Sequence, residues 1–162
     1  MQLPDITIRC AQDSDAAQIA SLLFESFAEY KALYNRESFA ATAISSEQAA
    51  KRIAEGPVWV AVSGKRIVGA VSVIPRGDSL YIRGMAVHPS ARGQQVGGRL
   101  LTTVEQFAAL GKFRRMLLST TPFLDRAIRL YEHFGFSRIN EGPHDLFGTP
   151  LFSMEKVIAG TV

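Results

Sequence analysis

The chain has 162 residues, 47% hydrophobic and 20% charged, with a formal net charge of +3; that suffices for one packed core, is too little charge for a disordered chain, and suggests a single domain spanning residues 1–162. No long run of Lys and Arg occurs, so no nucleic-acid partner is expected, and the short clusters Lys112–Arg115 and Arg126/Arg129 read as solvated surface. One cysteine excludes an intramolecular disulfide framework and a Cys-based metal cluster, and the lack of a signal pattern or an apolar run near ~20 residues points to a soluble, cytoplasmic protein with no membrane partner.

Ile6–Arg9 alternates like a strand, and Cys10 in that run is expected to be a buried thiol. Asp13 offers an N-cap to a helix carrying Ile19, Leu22, Leu23, Phe27 and Tyr30 on one face. A polar connection dotted with aromatics follows from Lys31 to Ile44. Ser45 and Gln48 have capping-box spacing and start a short helix that ends before Gly56-Pro57. Val58–Val62 and Arg66–Ile74 form a hairpin through Ser63-Gly64-Lys65. Leu80–His88 adds a third strand after the turn residues Pro75–Asp78, which makes an antiparallel meander.

The pattern then changes. Leu100, Leu101, Val104, Phe107 and Ala108 mark one face of a helix running from near Gly97 to Gly111. Arg114–Ser119 reads as a strand, so strand, helix and strand make a parallel crossover. Thr121-Pro122 looks like an N-cap and first helical residue, ahead of a helix carrying Leu124, Ala127, Leu130, Tyr131 and Phe134. Phe136–Ile139 and Leu151–Ile158 complete the sheet across the loop Glu141–Pro150. The fold class is α/β (α+β): a mixed, mainly antiparallel sheet with one parallel strand pair, flanked by helices.

At the parallel step the third strand runs into the turn Arg92-Gly93-Gln94-Gln95-Val96-Gly97-Gly98, which opens directly into a helix. A helix start presents backbone N–H groups without intrahelical partners and a partial positive charge, so it suits a phosphate group. Glycine allows close backbone approach, and Arg92 and Arg99 add charge. A P-loop needs Gly-Lys-Ser/Thr where this chain has Gly98-Arg99-Leu100, and the spacing Gly93-x-x-x-Gly97-Gly98 misses the dinucleotide fingerprint.

The stretch Ala86-Val87-His88-Pro89 followed by Arg92–Gly97 resembles the signature of the GNAT (GCN5-related N-acetyltransferase) superfamily, with Gln95 in place of that family's middle glycine. Ala127–Phe136 resembles the family's A-x-x-L-Y-x-x-x-G-F helix, and the order of elements extends the likeness over nearly the whole chain. The resemblance implies a single N-acetyltransferase domain using acetyl-CoA as co-substrate, without a metal, and an amine acceptor from a small molecule, peptide or protein. It implies that the backbone of Met85, Ala86 and Val87 holds the pantetheine arm and that the 94–98 amides, with Arg92, Gly93 and Arg99 around them, hold the pyrophosphate. The two central strands are expected to splay there, with Gly84 at a bulge and the Val87 N–H facing a developing oxyanion.

By the same resemblance Tyr131 protonates or hydrogen-bonds the leaving sulfur, though it also suits its helix face as a packing residue. Ser79–Gly84 offers no carboxylate where many relatives carry a glutamate base. Glu25 and Glu29, Glu141, and His144-Asp145 are the alternatives, with solvated surface or turn capping as their plain reading; a water relay is another. His88 and His133 read as structural, and Trp59 as core. Tyr30, Tyr34 and Phe39, with Glu25 and Glu29, are placed at an acceptor wall, although the aromatics equally suit the core. The oligomeric state is left as monomer or homodimer. A non-catalytic acyl-CoA sensor is the competing class, which the missing strand carboxylate favours and Tyr131 disfavours.

Overall fold

The computed structural model describes residues 5–158. Strand β1 (Ile6–Cys10) forms one edge of the sheet, and Cys10 at its last position is exposed, not buried as its apolar run suggested. Sequence apolarity cannot reveal that an edge strand has run past its cover. Asp13–Asp15 form a 3-10 turn instead of a simple cap. Asp15 accepts from the backbone N–H of Gln12 and from Arg9, whose hydrogen bond holds the carboxyl below its ordinary range.

Helix α1 (Ala16–Phe27) follows, then a 3-10 segment (Ala28–Leu33). The connection expected over Lys31–Ile44 contains a helix, α2 (Arg36–Thr42), started by a reciprocal Asn35–Ser38 box that polar composition disguised as loop. Helix α3 (Ser46–Glu55) begins at the expected Ser45–Gln48 box.

Strands β2 (Val58–Ser63), β3 (Arg66–Arg76) and β4 (Ser79–Val87) form the antiparallel meander, with Gly64 at φ +62° making the first tight turn. Helix α4 (Val96–Leu110) crosses to β5 (Arg115–Thr120), which lies parallel to β4. Thr121-Pro122 does not cap the next helix: α5 (Asp125–Phe134) starts after a further turn and ends at Gly135, at φ +109°. Strand β6 (Ser137–Ile139), a small hairpin of β7 (Asp145–Leu146) and β8 (Thr149–Pro150) inside the expected late loop, and β9 (Phe152–Val157) complete the chain.

The seven-stranded sheet has the order β1-β2-β3-β4-β5-β9-β6 and one parallel pair. Ile19, Leu22 and Leu23 of α1 and Ala49 of α3 cover one face, against Val58, Val60, Ala70 and Ala86. Leu100, Leu101 and Val104 of α4 and Tyr131 of α5 cover the other, with Trp59 and Val71. Full burial of each such aliphatic side chain contributes about 1.5–3 kcal/mol before entropy is charged against it. Two helical layers thus clamp the sheet and hold β4 and β5 at its centre.

Candidate active site

Strands β4 and β5 pair only as far as Ile82 and Leu118. Beyond that point β4 stays on β3 through Val87 while β5 stays on β9 through Thr120, so the two central strands lose contact. The register on β3 slips at the same level. Ser72 faces Gly84 and Val73 faces Ile82, which leaves Arg83 as the extra residue of a bulge, one position before the expected Gly84. The N–H of His88 donates to Val68 O on β3. Alternation along the strand therefore directs the backbone groups of Ala86 to β3 and those of Met85 and Val87 into the gap.

Two cavities meet at this gap. The first, about 290 Å³, extends from Arg92, Gly93 and Val96 past Met85–Val87 to Tyr131. The second, about 280 Å³, lies among Tyr34, Arg52, Arg83 and Ser119–Thr121. Phe27, Met85, Leu124 and Tyr131 belong to the walls of both. A group delivered along one cavity and a group entering the other would meet beside the Tyr131 ring.

At the far end of the first cavity the chain turns through Gly93 at φ +80° and Gln95 at φ +62° before entering α4. Gln95 is exposed, and no side chain caps the helix start, so the first-turn amides remain available. The two glycines that follow differ in purpose. A methyl on Gly97 would stand 2.6 Å from Leu130 Cδ2, so this glycine seats α4 against α5. A methyl on Gly98 would meet nothing within 4 Å, which leaves that face open to a ligand. Ser26 Oγ of α1, in the wall of the same cavity, is buried with no hydrogen-bond partner among the described residues. Strand amides without a partner strand, an uncapped helix start and an orphan hydroxyl fit an elongated ligand with amides at one end and phosphate at the other.

Arg92 lines this cavity and donates to Glu29, which also lies 3.4 Å from Arg126 Nη1. Arg99 points elsewhere, its Nη1 donating to Ile6 O at 2.8 Å, and it lines neither cavity. Gln94 Nε2 donates to Ser90 O at 3.4 Å. Glu25 also lies outside both cavities, 3.2 Å from His88 Nε2. Tyr30 is in the first cavity and Tyr34 in the second, with Phe123 packed against both rings.

Glu141 and Asp145 are engaged away from the gap. Glu141 accepts from Arg115, which keeps its carboxyl below the ordinary range. Asp145 accepts from the N–H of Gly148 within the β7–β8 hairpin. Among the described residues no carboxylate or imidazole lines the second cavity, whose charged side chains are Arg52, Arg76 and Arg83. Tyr131 is buried, and burial, with the neighbouring Tyr34 second, pushes its hydroxyl up to about 12. At neutral pH it is a hydrogen-bond donor.

Residues 18–136 match the sequence pattern of the Acetyltransferase (GNAT) family. The chain belongs to that family. Camello of Xenopus laevis, a relative named for N-acetyltransferase activity, is 32% identical over 107 residues, covering 64% of this chain and 46% of its own length. The chain spans about half or less of the curated relatives it matches first. The GNAT fold is also found in the PaiA N-acetyltransferase of Thermoplasma acidophilum solved with coenzyme A, at TM-score 0.81 and 17% identity, covering 94% and 99% of the two chains. A GNAT-family acetyltransferase from Streptococcus pneumoniae gives TM-score 0.76 and 18% identity, covering 96% and 100%.

Ser26 lines the first cavity and Arg52 and Ser119–Thr121 the second, none of which the sequence singles out for a site. Arg52 lies on a capped, polar helix, and nothing in local spacing shows that α3 brings it over the gap. Serine on an apolar helix face carries equally little signal.

Proposed function

We propose that the protein transfers an acetyl group from acetyl-CoA to a primary amine by direct attack. The observation that carries this reading is the meeting of two cavities at Tyr131, one of them walled by the free edge of β4 and ending at the uncapped start of α4. In this reading Met85 and Val87 offer strand-like hydrogen bonds to the pantetheine amides, and the amides of the 94–98 turn cradle the pyrophosphate with Arg92. Gln95 contributes its backbone only, because its side chain is exposed.

Acetyl-CoA supplies an activated thioester carbonyl. The acceptor nitrogen forms a bond to that carbonyl carbon as the carbon–sulfur bond breaks. The nitrogen loses one proton and the sulfur gains one. Tyr131, kept protonated by burial, donates a hydrogen bond to the departing sulfur. The Val87 N–H faces the gap, where a donor stabilises the oxyanion. With no carboxylate or imidazole in the acceptor wall among the described residues, the nitrogen's proton leaves through water.

Purified protein mixed with acetyl-CoA and an amine panel should release free thiol in step with acetylated amine. Coenzyme A should also raise the melting temperature. No thermal shift with coenzyme A and no thiol release with any amine would overturn the reading.

A further inference from the structure

The charged side chains that line the second cavity are all arginines: Arg52, Arg76 and Arg83. Arg83 is satisfied, its Nη1 donating to Glu55 at 2.9 Å and its Nε and Nη2 lying near Ser72 Oγ. Arg76 lies with its guanidinium carbon 3.8 Å from the centre of the Tyr81 ring. Neither Arg76 nor Arg52 has a carboxylate within ion-pair distance among the described residues. Arg52 is also partly buried, and that desolvation, with Arg83 beside it, disfavours its charge by more than Tyr81 and Glu55 favour it.

A partly buried guanidinium whose nearby carboxylate, Glu55, is paired with Arg83 instead is costly to keep charged, and the cost falls when an anion arrives. The fold positions this one closely. A methyl on Gly84 would stand 2.7 Å from Arg52 Nη1, so the absence of a side chain at Gly84 is what lets the guanidinium lie over the splay. Gly84 is followed by Met85, which belongs to both cavities. Opposite stand the hydroxyl residues Ser119, Thr120 and Thr121, with Tyr34 and Thr42 beside them.

Resting on the proposed acetyl transfer, we infer that the acceptor is a small amine carrying a carboxylate, in its simplest form an α-amino acid, with that carboxylate on Arg52 and its amine toward Tyr131. The spacing suits this class. Consecutive Cα atoms are about 3.8 Å apart, so a carboxylate held above Gly84 leaves an α-amine near the level of Met85. The volume, about 280 Å³, suits a molecule of amino-acid size. The arginines have a second effect. They disfavour an ammonium ion in the same cavity and so favour the neutral, nucleophilic amine where no carboxylate base is present. A polyamine or a lysine side chain would bring positive charge to a wall that is already positive.

The test is calorimetric binding to the coenzyme A complex, comparing α-amino acids with their decarboxylated amines, alongside thiol release with acetyl-CoA. The expected result is at least tenfold tighter binding of the best amino acids than of their decarboxylated partners. Arg52→Met should reduce that ratio toward one while leaving coenzyme A affinity unchanged. Arg52→Lys should retain part of it. Equal or tighter binding of the decarboxylated amines overturns the inference, as does an undiminished ratio in Arg52→Met or the absence of binding by any amino acid. Tight, Arg52-dependent binding without thiol release would sustain the acceptor class and overturn the transfer reading instead. Rapid acetylation of carboxylate-free amines alone would do the reverse.

Discussion

Glu29 and Arg92 form an ion pair beside the first cavity, joining the 3-10 segment that follows α1 to the turn before α4. Arg126 of α5 approaches the same carboxylate at 3.4 Å. An acid in this position occupies a cation that the proposed pyrophosphate site would use, and it adds a negative charge near that site. Glu29→Gln should therefore tighten coenzyme A binding. Exposed pairs are worth about 0.2–1 kcal/mol, so the gain is at most about fivefold, and it should shrink as salt rises. Titration calorimetry at two ionic strengths checks it; weaker binding in the variant would show that Glu29 orients Arg92 for the ligand.

Gln95 occupies the left-handed region at φ +62°, ψ +21°, at the position where the GNAT pattern carries its middle glycine. A non-glycine residue there costs about 1–2 kcal/mol, and the added freedom of glycine in the unfolded chain returns about 0.5–1 kcal/mol of that. Gln95→Gly should raise unfolding stability by about 0.5–1 kcal/mol. Coenzyme A affinity should change little, because the backbone amide is kept. A denaturant unfolding midpoint that falls would refute the strain.

The two adjacent glycines of α4 should respond oppositely. Gly97→Ala drives a methyl to 2.6 Å from Leu130 and should destabilise the α4–α5 contact by about 1–3 kcal/mol. Gly98→Ala meets open space and should stabilise the free protein by up to about 1 kcal/mol through helix propensity. The same methyl stands where the ligand would approach, so coenzyme A binding should weaken. Thermal melts with and without coenzyme A separate the two effects.

Much of this architecture was legible in the chain. Periodicity gave the core faces of α1, α4 and α5, the Ser45–Gln48 spacing gave α3, and short turns gave the meander. Local chemistry was enough for those features. It failed where tertiary position decides: Cys10 is exposed because β1 is an edge, and α2 forms in a stretch whose composition reads as loop. The phosphate turn was legible because strand, glycines and helix are contiguous. Arg99 was assigned to it by sequence proximity, yet its place in α4 turns it toward β1. The acceptor wall was illegible. It is assembled from α3, β4 and β5, and Arg52 meets Gly84 only through the packing of α3 beside the sheet.

Alkaline stability offers a further check. Tyr131 and Tyr34 both have hydroxyls raised by burial, Tyr131 to about 12. A raised folded value means stability is fully present below the unfolded value, about 10, and is lost as pH climbs through the folded one. Native Tyr131 should contribute roughly 2–3 kcal/mol to the loss between pH ~10 and ~12. Tyr131→Phe should flatten that limb in denaturant melts, leaving the smaller part due to Tyr34. An unchanged limb would mean that Tyr131 is solvated.

Acyl transfer is expected to occur beside Tyr131, where the two cavities meet. The most direct measurement is the split between turnover and coenzyme A affinity in Tyr131→Phe, which keeps the ring and removes only the hydroxyl. The kcat should fall about 10²-fold, the lower end for a lost proton donor, with the coenzyme A Kd unchanged within twofold. Turnover equal to that of the native enzyme would contradict it.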